Sequence, residues 1–184
     1  YNFVNPKAGI SYHNNGHKVY LSMAYASREP ERNNFTDNGK YPAPNAEHLL
    51  DIELGYQYAS NNWHIGTNLY YMGYKDQFVQ TGEQSDIGEN LTTNVKNSYR
   101  MGAELTAGWN ATSWFTLEGN AALSINKIKD FDEFVDNWDN SKMPLKVHYD
   151  NSTLAFSPSA ILNGFMNFHY KGAQLVWHTN YVSR

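Results

Sequence analysis

The chain has 184 residues, no cysteine, a formal charge of −4 and a pI near 5.9, which excludes disulfides and thiol chemistry and offers no basic stripe for nucleic acid. Only 17% of the residues are charged, against roughly a quarter in ordinary soluble domains, while 15% are aromatic. Mean hydropathy is −0.66 and no run of about 18 apolar residues occurs, so there is no transmembrane helix; strands that cross a membrane by alternation escape that test.

Residues 3–12 place Val4, Ala8, Ile10 and Tyr12 on one face of a first strand. Asn14, Asn15 and Gly16 read as a tight turn, since Asn and Gly accept positive φ. The second strand, residues 17–27, sets Val19, Leu21, Met23 and Tyr25 against Lys18, Tyr20, Ser22 and Ala24. Residues 28–45, rich in Pro, Asn and charge, read as a long loop. A third strand starts near Glu47, with Leu50, Ile52, Leu54, Tyr56 and Tyr58 facing out and Asp51, Glu53, Gly55 and Gln57 facing in. Ser60, Asn61 and Asn62 turn the chain into a fourth strand, residues 63–78, whose Trp63, Ile65, Leu69 and Tyr71 oppose His64, Asn68 and Tyr70.

After a second long loop, residues 79–96, the alternation is cleanest. Tyr99, Met101, Ala103, Leu105, Ala107 and Trp109 share one face; Ser98, Arg100, Gly102, Glu104, Thr106 and Gly108 share the other. Residues 111–113 turn the chain. Phe115, Leu117, Ala121, Leu123 and Ile125 then face Thr116, Glu118, Asn120, Ser124 and Asn126 across the next strand. Tyr99 and Trp109 stand ten residues apart on one face, which at a tilt of ~40° projects to roughly 25 Å, the height of a bilayer-spanning apolar band with an aromatic at each rim. A third long loop covers residues 129–158, where Phe131, Phe134, Val135 and Trp138 suggest one short helix. A seventh strand carries Leu162, Met166, Phe168 and Tyr170; Lys171, Gly172 and Ala173 turn it; an eighth carries Leu175, Trp177 and Tyr181.

The expected fold is therefore all-β: an antiparallel up-and-down meander of about eight long strands, part of a transmembrane β-barrel. Short turns at one end and long loops at the other are the layout of such barrels. Residues 1–184 form one partial barrel domain. The first strand starts, and the eighth ends, on the long-loop side, so the chain is expected to be an internal segment of a larger barrel; no signal peptide is read at its start. The alternative from alternation alone is a soluble carbohydrate-binding β-sandwich, which requires Leu54, Leu69, Leu105 and Leu117 buried together in a two-layer core.

Several stretches also carry a resemblance. FVNPKAGISY, then AYASREPERNNFTDN, PNAEHLLDIELGYQY, NLYYMGYKDQFV, NSYRMGAELTAGW and LVWHTNYVSR follow in order along nearly the whole chain. Together they resemble the C-terminal barrel part of TonB-dependent outer-membrane receptors, in the form found in Bacteroidetes-type bacteria. The resemblance implies a barrel of about 22 strands with a plug in its lumen. On this resemblance the plug and the last strands are expected to lie outside residues 1–184. It also implies outer-membrane lipid around the wall, TonB and a plug as partners in the parent protein, and active import of a ferric siderophore or similar chelate. A glycan-importing receptor of the same family is the alternative ligand class.

No enzyme is expected. Asp51, Glu53, Arg100, Glu104 and Glu118 lie on the wet face. A carboxylate pair for glycoside hydrolysis is one reading; a lumen facing water or plug is the one adopted, with Arg100 bridging Glu104 or an acid on a neighbouring strand. The seven His show no ligand spacing, and the acidic run around Asp130 and Asp132 lacks the Gly and closing Glu of a calcium loop, so neither metal nor cofactor is expected. Ligand contact is assigned to the long loops: Arg28, Glu29 and Arg32, whose guanidinium forks suit carboxylate, catecholate or phosphate, and Trp138, His148 and Tyr149, which can stack on a ligand.

Overall fold

The computed structural model describes residues 1–36, 42–85, 88–135 and 145–183, with side chains for all of these but 82–84 and 133–135. They form one antiparallel sheet of nine strands: β1 (Lys7–Asn14), β2 (His17–Arg28), β3 (Glu47–Ala59), β4 (Trp63–Gln84), β5 (Asn90–Thr112), β6 (Phe115–Val135), β7 (Leu145–Thr153), β8 (Ala160–Tyr170) and β9 (Ala173–Val182). A five-residue helix, α1 (Arg32–Thr36), follows β2. Each strand pairs with its sequence neighbour, except that β6 takes two partners: its first half pairs with β8, its second with β7.

Local chemistry sets the short-turn end. Asn15 (φ 48°) and Gly16 (φ 81°) close β1–β2, and Lys171 (φ 44°) and Gly172 (φ 82°) close β8–β9. Two successive positive φ values make the primed turn that matches strand twist. A Cβ on Gly16 would collide with the Ala59 carbonyl oxygen, so glycine is required there. β1 begins after Pro6, which has no N–H to give a ladder, although its carbonyl accepts from Tyr25 N at 2.9 Å.

Three expectations change. The strand count is nine, because Leu145–Thr153 is paired with β6 as β7. The second long loop is mostly strand: β4 runs on to Gln84 and β5 starts at Asn90. The third contains the end of β6 and all of β7, so residues 131–135 are strand, not helix; Trp138 lies outside the described residues. These segments form two-stranded ribbons whose dry side, among the described residues, is limited to Val79, Val95 and Phe131, so few apolar residues mark a face and period two fades from the sequence.

Where the sheet is widest, register aligns one apolar face. Ile10, Leu21, Leu54, Leu69, Ala103 and Leu123 form one continuous row; Ala8, Met23, Ile52, Tyr71, Met101 and Ile125 form the next. Among the described residues nothing packs on this face. Leu54, Leu69, Leu105 and Leu117 are 47%, 50%, 47% and 39% exposed, so the sandwich core does not exist. Aromatics mark both levels of the face: Trp63 stacks on Trp109 at 5.0 Å and Phe115 on Phe168 at 4.9 Å near the short turns, and Tyr71 on Tyr99 at 6.4 Å ten residues higher. Among the described residues the only buried apolar cluster is Val95, Ile128 and Leu154, with Val79 and Phe131 against it.

Candidate functional site

The opposite face is polar and close-set. Glycines admit bulky neighbours: the Tyr20 ring lies over Gly55, His64 over Gly108 and the Tyr70 hydroxyl over Gly102. Tyr20 Oη then donates to Asn68 Oδ1 at 3.1 Å. Register sets the charged groups in three adjacent rows. Asp51, Met72, Arg100 and Asn126 make the first; Glu53, Tyr70, Gly102 and Ser124 the second; Gly55, Asn68, Glu104 and Ala122 the third.

These rows floor a concavity of about 360 Å³ lined by Glu53, Asn68, Tyr70, Arg100, Glu104 and Phe156, among others. A second, of about 660 Å³, continues toward the long-loop end and is lined by Gln77, Thr81, Arg100, Tyr149 and Phe156, among others. Arg100 and Phe156 belong to both and stand at their junction.

Phe156 reaches this place because the link from β7 to β8 folds over the polar face. Leu154 is buried and its N donates to Asn126 O at 3.2 Å. Ser124 Oγ donates to Pro158 O at 3.0 Å, and Ser124 N to Ser159 O at 2.9 Å. Between these anchors Phe156, at φ 57°, is 92% exposed and projects into open space. Sequence reading missed it; the sole signal is one aromatic inside a Ser- and Pro-rich connection.

Of the residues assigned to the wet face, Glu53, Arg100 and Glu104 meet in the first concavity. Asp51 lies in Arg100's row with Met72 between them. Glu118 lies apart, near the short turns, in a row with Gly108 and Phe165. The expected Arg100 bridge is absent among the described residues: Arg100 Nε has no hydrogen-bond partner, and neither has Asp51 Oδ1. Geometry explains it. Glu104 is four residues along the same strand, about 13 Å away, and Asp51 is two strands across, about 9.6 Å away.

The loop residues divide. Arg28 is committed: it pairs with Glu47 at 3.2 Å and lies over the Phe78 ring at 5.6 Å. Glu29 and Arg32 are exposed on either side of the start of α1. Tyr149 lines the second concavity, whereas His148 belongs to the exposed β6–β7 ribbon. There His148 Nδ1 donates to Asp132 Oδ1 at 2.8 Å, and Lys146 Nζ reaches Asp132 Oδ2 at 2.9 Å. The Lys146 and His148 hydrogen bonds hold the Asp132 carboxyl below its ordinary value, and the bond to Asp132 holds His148 above its own.

Comparison with known proteins fits this wall-like geometry. The family model described as TonB dependent receptor-like, beta-barrel matches residues 1–184. No curated protein matches the sequence. Among solved structures, the chain is similar to the FrpB iron transporter from Neisseria meningitidis (TM-score 0.66, 17% identity, 97% of this chain and 26% of that one). It is similar also to the copper transporter OprC (0.66, 16%, 94% and 25%) and to the ferric-catecholate import receptor Fiu from E. coli (0.65, 16%, 96% and 24%). The chain thus spans about a quarter of the length of each of these structures. With one oil-bearing face, one polar face and a family match from end to end, the chain belongs to the TonB-dependent receptors, as part of their β-barrel.

Proposed function

We propose that the nine strands are part of the wall of a larger outer-membrane barrel that imports a metal chelate, most closely a ferric siderophore. The apolar face meets lipid, and the polar face meets the plug and the passing ligand. Catalysis has no part in this reading. The carrying observation is the polar concavity that Arg100 and Phe156 line, where Arg100 Nε, and Asp51 Oδ1 in the same row, have no hydrogen-bond partner among the described residues. A plug in the lumen supplies such partners, and TonB acts through the plug. The Arg100 guanidinium suits a catecholate or carboxylate chelate, and Phe156 offers a stacking face. Iron and copper transporters and a ferric-catecholate receptor among the similar structures support a metal chelate over an oligosaccharide.

The test is uptake of a radiolabelled ferric catecholate by cells expressing the full-length receptor. Arg100→Glu is expected to lower uptake about tenfold or more, the equivalent of one charge-assisted hydrogen bond. Phe156→Ala lowers it further in combination. Uptake unchanged by both, with oligosaccharide uptake lost instead, overturns the chelate reading.

A further inference from the structure

The β6–β7 ribbon carries a side-chain cluster that the polar concavity does not use. Asp130, His148 and Asp150 each offer one ligand atom, and these atoms lie within 4.8 Å of one another on an exposed surface. Asp130 lies on β6 and His148 and Asp150 on β7, and the pairing of the two strands brings them together. Lys129 opposes Asn151, Phe131 opposes Tyr149 and Asp132 opposes His148, while Asp130, between Lys129 and Phe131, has φ 52°. Two carboxylates held this close on one surface repel unless a cation lies between them.

We propose that Asp130, Asp150 and the Nε2 of His148 bind a first-row transition cation of the zinc class. The donor set is one imidazole and two carboxylate oxygens, which suits that class; calcium and magnesium favour all-oxygen sites. Ligand distances of about 2.1 Å in a tetrahedral site put neighbouring donors about 3.4 Å apart. His148 Nε2 already stands 3.4 Å from Asp150 Oδ1. The Asp130 carboxylate completes the set by rotation of an exposed side chain, and water takes the fourth position. Asp132 is the positioning residue: holding Nδ1 at 2.8 Å, it fixes the ring with Nε2 toward Asp150, and Lys146 takes up its second oxygen. The charges balance, since Lys146 offsets Asp132 and the remaining two carboxylates match a divalent ion. Such an ion staples β7 to β6, and β7 leads directly into the link that carries Phe156. The inference stands apart from the import reading, because a structural ion here serves a receptor for any ligand.

The experiment is calorimetric titration of the chelator-stripped, full-length receptor in detergent with zinc chloride, and with calcium chloride as competitor. The wild type is expected to bind one zinc ion more than the triple variant Asp130→Asn/His148→Ala/Asp150→Asn, and calcium is expected not to displace it. Asp132→Asn is expected to weaken that ion about tenfold while leaving the stoichiometry intact. Cobalt(II) in place of zinc is expected to give visible absorption in the wild type and not in the triple variant. Asp130, His148 and Asp150 are exposed and Asp132 is half-exposed, and the heat-dependent gel shift of a folded barrel checks each variant. Equal stoichiometry and affinity in wild type and triple variant overturn the proposal, as does displacement by equimolar calcium.

Discussion

At the scale of residues, polar-face glycines are set by what lies on them. A Cβ at Gly55 would enter the Tyr20 ring. Gly55→Val therefore pushes Tyr20 off its hydrogen bond to Asn68 and is expected to cost about 1–3 kcal/mol, as overpacking does. Urea unfolding in lipid vesicles measures it; Tyr20→Ala in the same chain should recover most of the loss, and no recovery would show that the ring is not the obstacle. Alternation made such faces legible, because Leu105 and Glu104 announce opposite sides by type alone. Phe156 was not legible: its position follows from a positive φ and from anchors at Ser124 and Asn126, neither of which leaves a period. The Asp132–His148 bond was equally hidden, since 16 residues separate its partners and only strand pairing joins them.

At the scale of elements, β4 and β5 have 22 and 23 residues, about twice what a bilayer crossing takes, and the surplus forms ribbons above the oil-facing rows. The sequence showed the crossing halves and hid the surplus, because a ribbon such as β6–β7 has only scattered apolar residues, Phe131 among them, to mark period two. Its stability is expected to depend on pH. His148 is raised, so its contribution is full below about pH 6.5 and is lost as pH climbs through its own higher value. Asp132 is lowered, so its contribution is full above about pH 4 and is lost as pH falls through its own lower value. The ribbon is tightest between those limits. NMR titration of the imidazole checks this: Asp132→Asn should bring the His148 midpoint down, and an unmoved midpoint would detach the pair.

At the scale of the whole molecule, the chain exposes 13122 Å². A folded soluble monomer of 21.1 kDa exposes about 9,000 Å². The exposed apolar face contributes to the excess, and in the proposed reading lipid is the solvent that removes its cost. Leu105→Arg on that face is expected to destabilise a bilayer-embedded receptor by about 2–4 kcal/mol, while the same arginine at neighbouring Glu104 costs far less. The most direct test of the wall is a nitroxide scan of residues 99–109 in the receptor embedded in a bilayer. Labels at odd positions should collide with dissolved oxygen and labels at even positions with a water-soluble nickel chelate, in strict alternation. A uniform profile, or oxygen contact at the even positions, would contradict a lipid-facing strand.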